Sequence, residues 1–191
     1  MNMAFFSNMP RVIVALLLLI LSPSLFTHQS KNLAIADSKL VQTLCYNSES
    51  PETCIRCVQS SKCAEKADSV GIARIIVNCI NDKAKTLALN MKILASTSSG
   101  NLKEFYQRCA NDYNRIAKKE LISAKKALHN HKYDQAEYCV VKALSFDAAC
   151  HKNLKGDFND KVSKGVLYEM KIYEELSEAA CRIIEKLYVR G

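Results

Sequence analysis

Between Ala73 and Leu94 the apolar residues Ala73, Val77, Ile80, Ala84, Leu87, Met91 and Leu94 return at steps of three and four, with no glycine or proline among them. That spacing is the helical repeat, and it sets all of these side chains on one face of a helix of roughly seven turns. The run stops at the breaker STSSG, Ser96 to Gly100, and the pattern then resumes three more times. Leu102, Tyr106, Cys109, Tyr113, Ala117, Leu121, Ala124 and Leu128 form a second stripe, closed by His129-Asn130-His131-Lys132. A third begins near Tyr133, carries Ala136, Val140, Ala143 and Leu144, and fades at Lys155-Gly156. The fourth runs from about Val162 through Val166, Met170, Tyr173, Leu176, Ala180, Ile183 and Leu187. Each stripe must be covered, and four long amphipathic helices with short connections cover one another as an antiparallel up-down four-helix bundle. The fold class is therefore all-α.

A different unit precedes the bundle. Leu33 to about Lys66 reads as short helical pieces broken around Ser48 to Pro51, an N-terminal helical hairpin too small to hold together alone. Cys45 and Cys54 flank the break, and a ~10-residue loop closed between them would contribute about 2.7 kcal/mol in the loop-entropy relation.

Nine cysteines make the compartment a structural question. The N-terminus answers it with Arg11, the apolar run Val12 to Leu21, and a polar stretch holding Pro23, which are the three regions of a secretory signal. The apolar run is about half of the ~20 residues a membrane span needs. Residues 1–30 read as the signal, with cleavage between about residues 27 and 36, where Ala34-Ile35-Ala36 offers a late site. Residues 31–191 then form one domain, hairpin 31–66 and bundle 67–191. The mature chain is expected in an oxidising compartment outside the cell and off the membrane, with disulfides the default for paired cysteines. No Asn-x-Ser/Thr sequon occurs. The formal charge of +8 suggests an acidic partner, a protein face or an anionic polysaccharide, and outside the cell nucleic acid is not the expectation. The lysines are also scattered enough to be a solvated surface.

Cys109 lies early in the second long helix and Cys150 late in the third, so an antiparallel return brings them to the same end of the bundle. A bond there would close about 42 residues, worth roughly 3.9 kcal/mol by the same relation. The set of a CX8C hairpin with Pro51 inside, a long helix, Cys109-Ala110-Asn111-Asp112-Tyr113, and Ala143 to Cys150 (ALSFDAAC) resembles the plant invertase/pectin methylesterase inhibitors. The resemblance implies disulfides Cys45–Cys54 and Cys109–Cys150 and an unpaired Cys181 in the last helix. It also implies a protein with no catalysis and no cofactor, which occludes the active site of a cell-wall or vacuolar carbohydrate enzyme in a 1:1 complex. Cys57, Cys63, Cys79 and Cys139 depart from the pattern and allow three pairings. Cys57 with Cys79 would tie the hairpin to the first long helix; the alternative is that some of the four are buried as small apolar side chains.

Two target classes share this architecture. Invertase-directed members tend to carry Pro-Lys-Phe at the start of the third bundle helix, where this chain has Tyr133-Asp134-Gln135. An aromatic in the first position looks more like the pectin methylesterase-directed side, so these three residues are the expected target contacts and invertase inhibition is the alternative. Tyr133 can equally be a helix-start aromatic packing on its neighbours. A third reading is a non-inhibitory wall protein that binds pectin through its basic surface.

Other chemistry finds little support. Cys54-Ile55-Arg56-Cys57 has redox or half-zinc spacing, but no βαβ context and no second CxxC accompany it. His129 and His131 read as solvated loop residues, and His151 follows Cys150. Glu104 with Arg108 reads as a helix-surface ion pair and Glu174 with Glu178 as a solvated face. Hydrolase, zincin and nucleotide-binding motifs are absent, so no enzyme is expected.

Overall fold

The computed structural model of the chain describes residues 38–157 and 162–189; the signal and its cleavage site lie outside them. Two short helices come first, α1 (Ser38–Cys45) and α2 (Pro51–Gln59), followed by a 3-10 turn at Ala64–Lys66. Proline opens α2 where its missing N–H costs nothing, and Glu52 in the first turn suits the helix dipole. The four bundle segments follow: α3 (Ser69–Ser96), then α4 (Gly100–Arg115) continued by a π turn (Ile116–Glu120) into α5 (Leu121–His129), then α6 (Tyr133–Asp157) and α7 (Lys164–Val189). No strand occurs among the described residues.

Each bundle segment packs on the next in sequence, and α7 closes the ring against α3. Asp68 caps α3 by accepting from the Gly71 N–H at 2.7 Å. A Cβ on Gly71 would meet the Ala67 Cβ at 3.0 Å and Asp68 Oδ1 at 3.2 Å, so a larger residue here would press on the cap. The chain re-enters through Gly100 at φ 55° and turns from α5 into α6 through His131 at φ 56°. At that second turn the Lys132 N–H donates to the Ala127 carbonyl at 2.9 Å, satisfying a helix-end acceptor. The core these segments enclose includes Tyr106, Tyr113, Tyr173, Ile76, Ile80, Met91, Leu121 and Leu128, all fully buried.

The second bundle helix differs from the uninterrupted stripe expected of it. Its π turn widens the backbone at Ile116–Glu120. The buried Asn81 side chain reaches across from α3 and donates to the Ala117 carbonyl at 2.7 Å. A widened turn loosens its own carbonyls, and here one is used to lock two helices together.

The hairpin is held against the bundle by polar and covalent ties. Thr53 donates to Glu175 at 2.6 Å and the Glu49 N–H donates to Glu178 at 2.9 Å, both on α7. Cys45 bonds to Cys54 within the hairpin, and Cys57 bonds to Cys79 on α3. Val41, Leu44, Cys54 and Val58 complete a small core beneath it.

Candidate interaction surface

The α6 helix carries the residues expected at a target interface. Tyr133 is half-buried: its hydroxyl meets His131 Nδ1 at 2.8 Å, and its ring stands edge-on to Tyr188 with centroids 6.4 Å apart. Asp134 and Gln135 are exposed beside it. Tyr133 thus anchors the start of the helix while its two neighbours face solvent. One and two turns further on, Tyr138 is 65% and Val141 49% exposed, on the same outward side as Asp134 and Gln135. Lys142 Nζ lies 6.0 Å from the Tyr138 ring centroid, which helps hold that ring on the surface. A tyrosine left in water beside polar neighbours is the kind of side chain that anchors protein interfaces, and Val141 adds apolar surface next to it. Sequence reasoning stopped at Gln135 and missed both; the available signal was two large residues off the apolar stripe. Leu89 and Ile93, one turn apart on α3, form another exposed aliphatic pair.

The cysteines divide into three bonds and three thiols. Cys109 on α4 bonds to Cys150 on α6 with Cα atoms 5.7 Å apart. The bonds Cys45–Cys54 and Cys57–Cys79 have Cα separations of 5.6 and 6.2 Å. Of the remaining residues, Cys63 is exposed, Cys139 buried and Cys181 half-buried. Burial, then the charges of Glu137 and Glu178, push the Cys181 thiol up to about 12, so it is inert as a nucleophile. Cys139 is the buried apolar case, and the Cys54-x-x-Cys57 pair is split between two different disulfides. No redox pair remains.

Several polar readings change. His129 and His131 are exposed, whereas His151 is buried. His151 pairs through Nδ1 with Glu174, so Glu174 does not belong to a solvated face. Glu178 is likewise engaged, by Arg182 and by the Glu49 N–H. Beside His151 and Glu174 the Tyr113 hydroxyl donates to the fully buried Asp147. These contacts cross from α4 to α6 to α7, a polar seam that a single helix's i,i+4 pattern does not reveal. Glu104 and Arg108 are exposed and do not pair with each other. Where the π turn meets α6, the buried Glu120 lies between Arg115 and Lys142 at 3.5 and 3.4 Å.

The sequence matches the plant invertase/pectin methylesterase inhibitor family over residues 39–183. The chain belongs to this family. Its members are inhibitors and not enzymes. The family assignment agrees with the helical bundle, and the Cys57–Cys79 bond is additional to the two disulfides that the resemblance implies. A pectin methylesterase inhibitor from Arabidopsis, in a mutant form, is similar with a TM-score of 0.65 and 16% identity, covering 76% of this chain and 95% of its own. Another from Arabidopsis thaliana gives 0.58 and 18%, covering 79% and 97%. At such identities the likeness is one of fold. No curated protein sequence matches the chain. No helix among the described residues is long and apolar enough to cross a membrane.

Proposed function

We propose that this inhibitor-family chain is secreted to the plant apoplast or cell wall, where it binds a pectin methylesterase 1:1 and occludes its active site. Residues 1–30 act as the signal, cleaved between about residues 27 and 36, and residues 31–191 form the inhibitor, with hairpin 31–66 and bundle 67–191. The observation that carries the choice of target is Tyr133-Asp134-Gln135, standing where invertase-directed members tend to carry Pro-Lys-Phe. Two of the similar solved structures are of pectin methylesterase inhibitors, which is in keeping with it.

In this reading the α6 face supplies the contact. Asp134 and Gln135 offer polar groups, Tyr138 supplies an aromatic anchor and Val141 apolar area beside it, and none needs reordering because the helix beneath them is packed and crosslinked. Blocking follows from shape: a bundle seated over a cleft that accepts a polysaccharide chain leaves the chain no path in. The net basic charge favours encounter with an acidic enzyme surface.

The oxidised mature protein, titrated against a pectin methylesterase and an invertase from acidic to neutral pH, decides the target. Loss of pectin methylesterase activity with co-elution of a 1:1 complex is expected. Inhibition of invertase alone, or of vacuolar invertase, overturns the choice of target. Unchanged activity of both, with salt-sensitive binding to polygalacturonate, replaces inhibition by direct pectin binding.

A further inference from the structure

We propose that Asp147, His151 and Glu174 form a zinc-type divalent cation site inside the bundle, independent of the target surface. Asp147 and His151 stand four residues apart on α6, one turn apart on one side of the helix, and Glu174 faces them from α7. One donor atom from each of the three lies within 4.8 Å of the others. Zinc–ligand bonds of about 2.1 Å put tetrahedral ligands roughly 3.4 Å apart, so small side-chain rotations close the set around an ion. One imidazole nitrogen with two carboxylates suits zinc better than calcium or magnesium, which take oxygen ligands.

The second observation concerns unsatisfied atoms. Four buried side-chain polar atoms among the described residues have no hydrogen-bond partner, and three of them belong to this seam: Asp147 Oδ2, His151 Nε2 and the Tyr173 hydroxyl. The fourth, Glu120 Oε1, lies between Arg115 and Lys142. Asp147 is 0% and His151 8% exposed, so neither can turn to bulk water; the ion would take Asp147 Oδ2 and, in place of the Glu174 contact, His151 Nδ1, because Nε2 lies across the ring. Buried polar groups of this kind are normally satisfied, and a cation meets several lone pairs at once. Tyr113 donates to Asp147 and fixes its carboxylate, as outer partners of metal ligands do. Glu174 is half-buried, the most solvent-exposed of the three. Metal ligands must be deprotonated to bind, so affinity rises with pH.

Zinc chloride titrated calorimetrically into the disulfide-intact protein tests the site, in a Cys63→Ser background that removes the exposed thiol. The titration is run at pH 7.5 in two buffers of different protonation enthalpy. One zinc per chain, proton release and a raised Tm are expected. Asp147→Asn and His151→Gln should each bind at least tenfold more weakly, while His129→Gln with His131→Gln should bind as before. No binding, or binding untouched by Asp147→Asn and His151→Gln, overturns the proposal. If either of those variants fails to fold, cobalt(II) added to the unaltered core decides: intense visible bands of a four-coordinate nitrogen–oxygen site support it, and their absence rejects it.

Discussion

Asp147 holds its proton far more tightly than an exposed aspartate. Burial is the main cause and the neighbouring charge of Glu174 adds to it, while the Tyr113 hydroxyl pulls the other way, leaving the group raised from 3.8 to about 7. A carboxyl whose folded value is raised stabilises the fold while protonated. That contribution is full below the ordinary aspartate range and is lost as pH climbs through about 7. In the presence of a chelator, the Tm should therefore fall between pH 5 and pH 8, and Asp147→Asn should flatten that slope; an unchanged slope refutes the assignment. The thiols give a second expectation at this scale. A maleimide should label Cys63 at once in the native protein, while Cys139 and Cys181 should react only after denaturation, as counted by mass spectrometry. None of the polar seam was visible in the sequence, where Asp147 sits inside a family motif and Glu174 looks like one more exposed helix acid. Its members come from α4, α6 and α7, and local spacing cannot bring them together.

At the level of elements, the hairpin depends on its anchors. Cys57–Cys79 closes about 23 residues, which the loop-entropy relation values at roughly 3.4 kcal/mol. Cys57→Ala with Cys79→Ala should lower the unfolding free energy by about 3 kcal/mol in urea. Amide exchange in α1 and α2 should accelerate more than in the bundle, because Thr53–Glu175 and Glu49–Glu178 are then the main polar ties left to α7. The π turn is secured from outside its own helix. Asn81→Ala leaves the buried Ala117 carbonyl without its donor and should cost about 1–3 kcal/mol, read from the same urea transitions. Helix number, order and approximate ends could be read from the three-four spacing, since that spacing is local. The π turn could not, because its distinguishing contact comes from α3, thirty-six positions away in sequence.

For the whole molecule, the crosslinked ring of four helices supplies a rigid surface rather than a cleft with chemistry. If α6 is the contact face, Tyr138→Ala should weaken inhibition of pectin methylesterase by at least about tenfold, the size expected of an exposed aromatic anchor. Leu89→Ala, on α3, should leave inhibition unchanged. Equal loss from both would place the contact elsewhere, and inhibition constants measured beside Tm separate lost contact from lost fold. Tyr133→Ala is the less informative change, because that ring packs on Tyr188 and His131 and its removal disturbs the helix start.

Periodicity dictated four amphipathic helices and hence a bundle, because an apolar face repeats within a few residues of itself and must be covered. The cysteine spacing carried the family resemblance for the same local reason. Which of the extra cysteines meet was settled by three-dimensional proximity: Cys57 reaches Cys79, while Cys63 points to solvent and Cys139 into the core. Packing likewise drew Asp147, His151 and Glu174 together and left Tyr138 and Val141 in water. Such outcomes depend on distances between helices, and a one-dimensional pattern of side chains does not contain those distances.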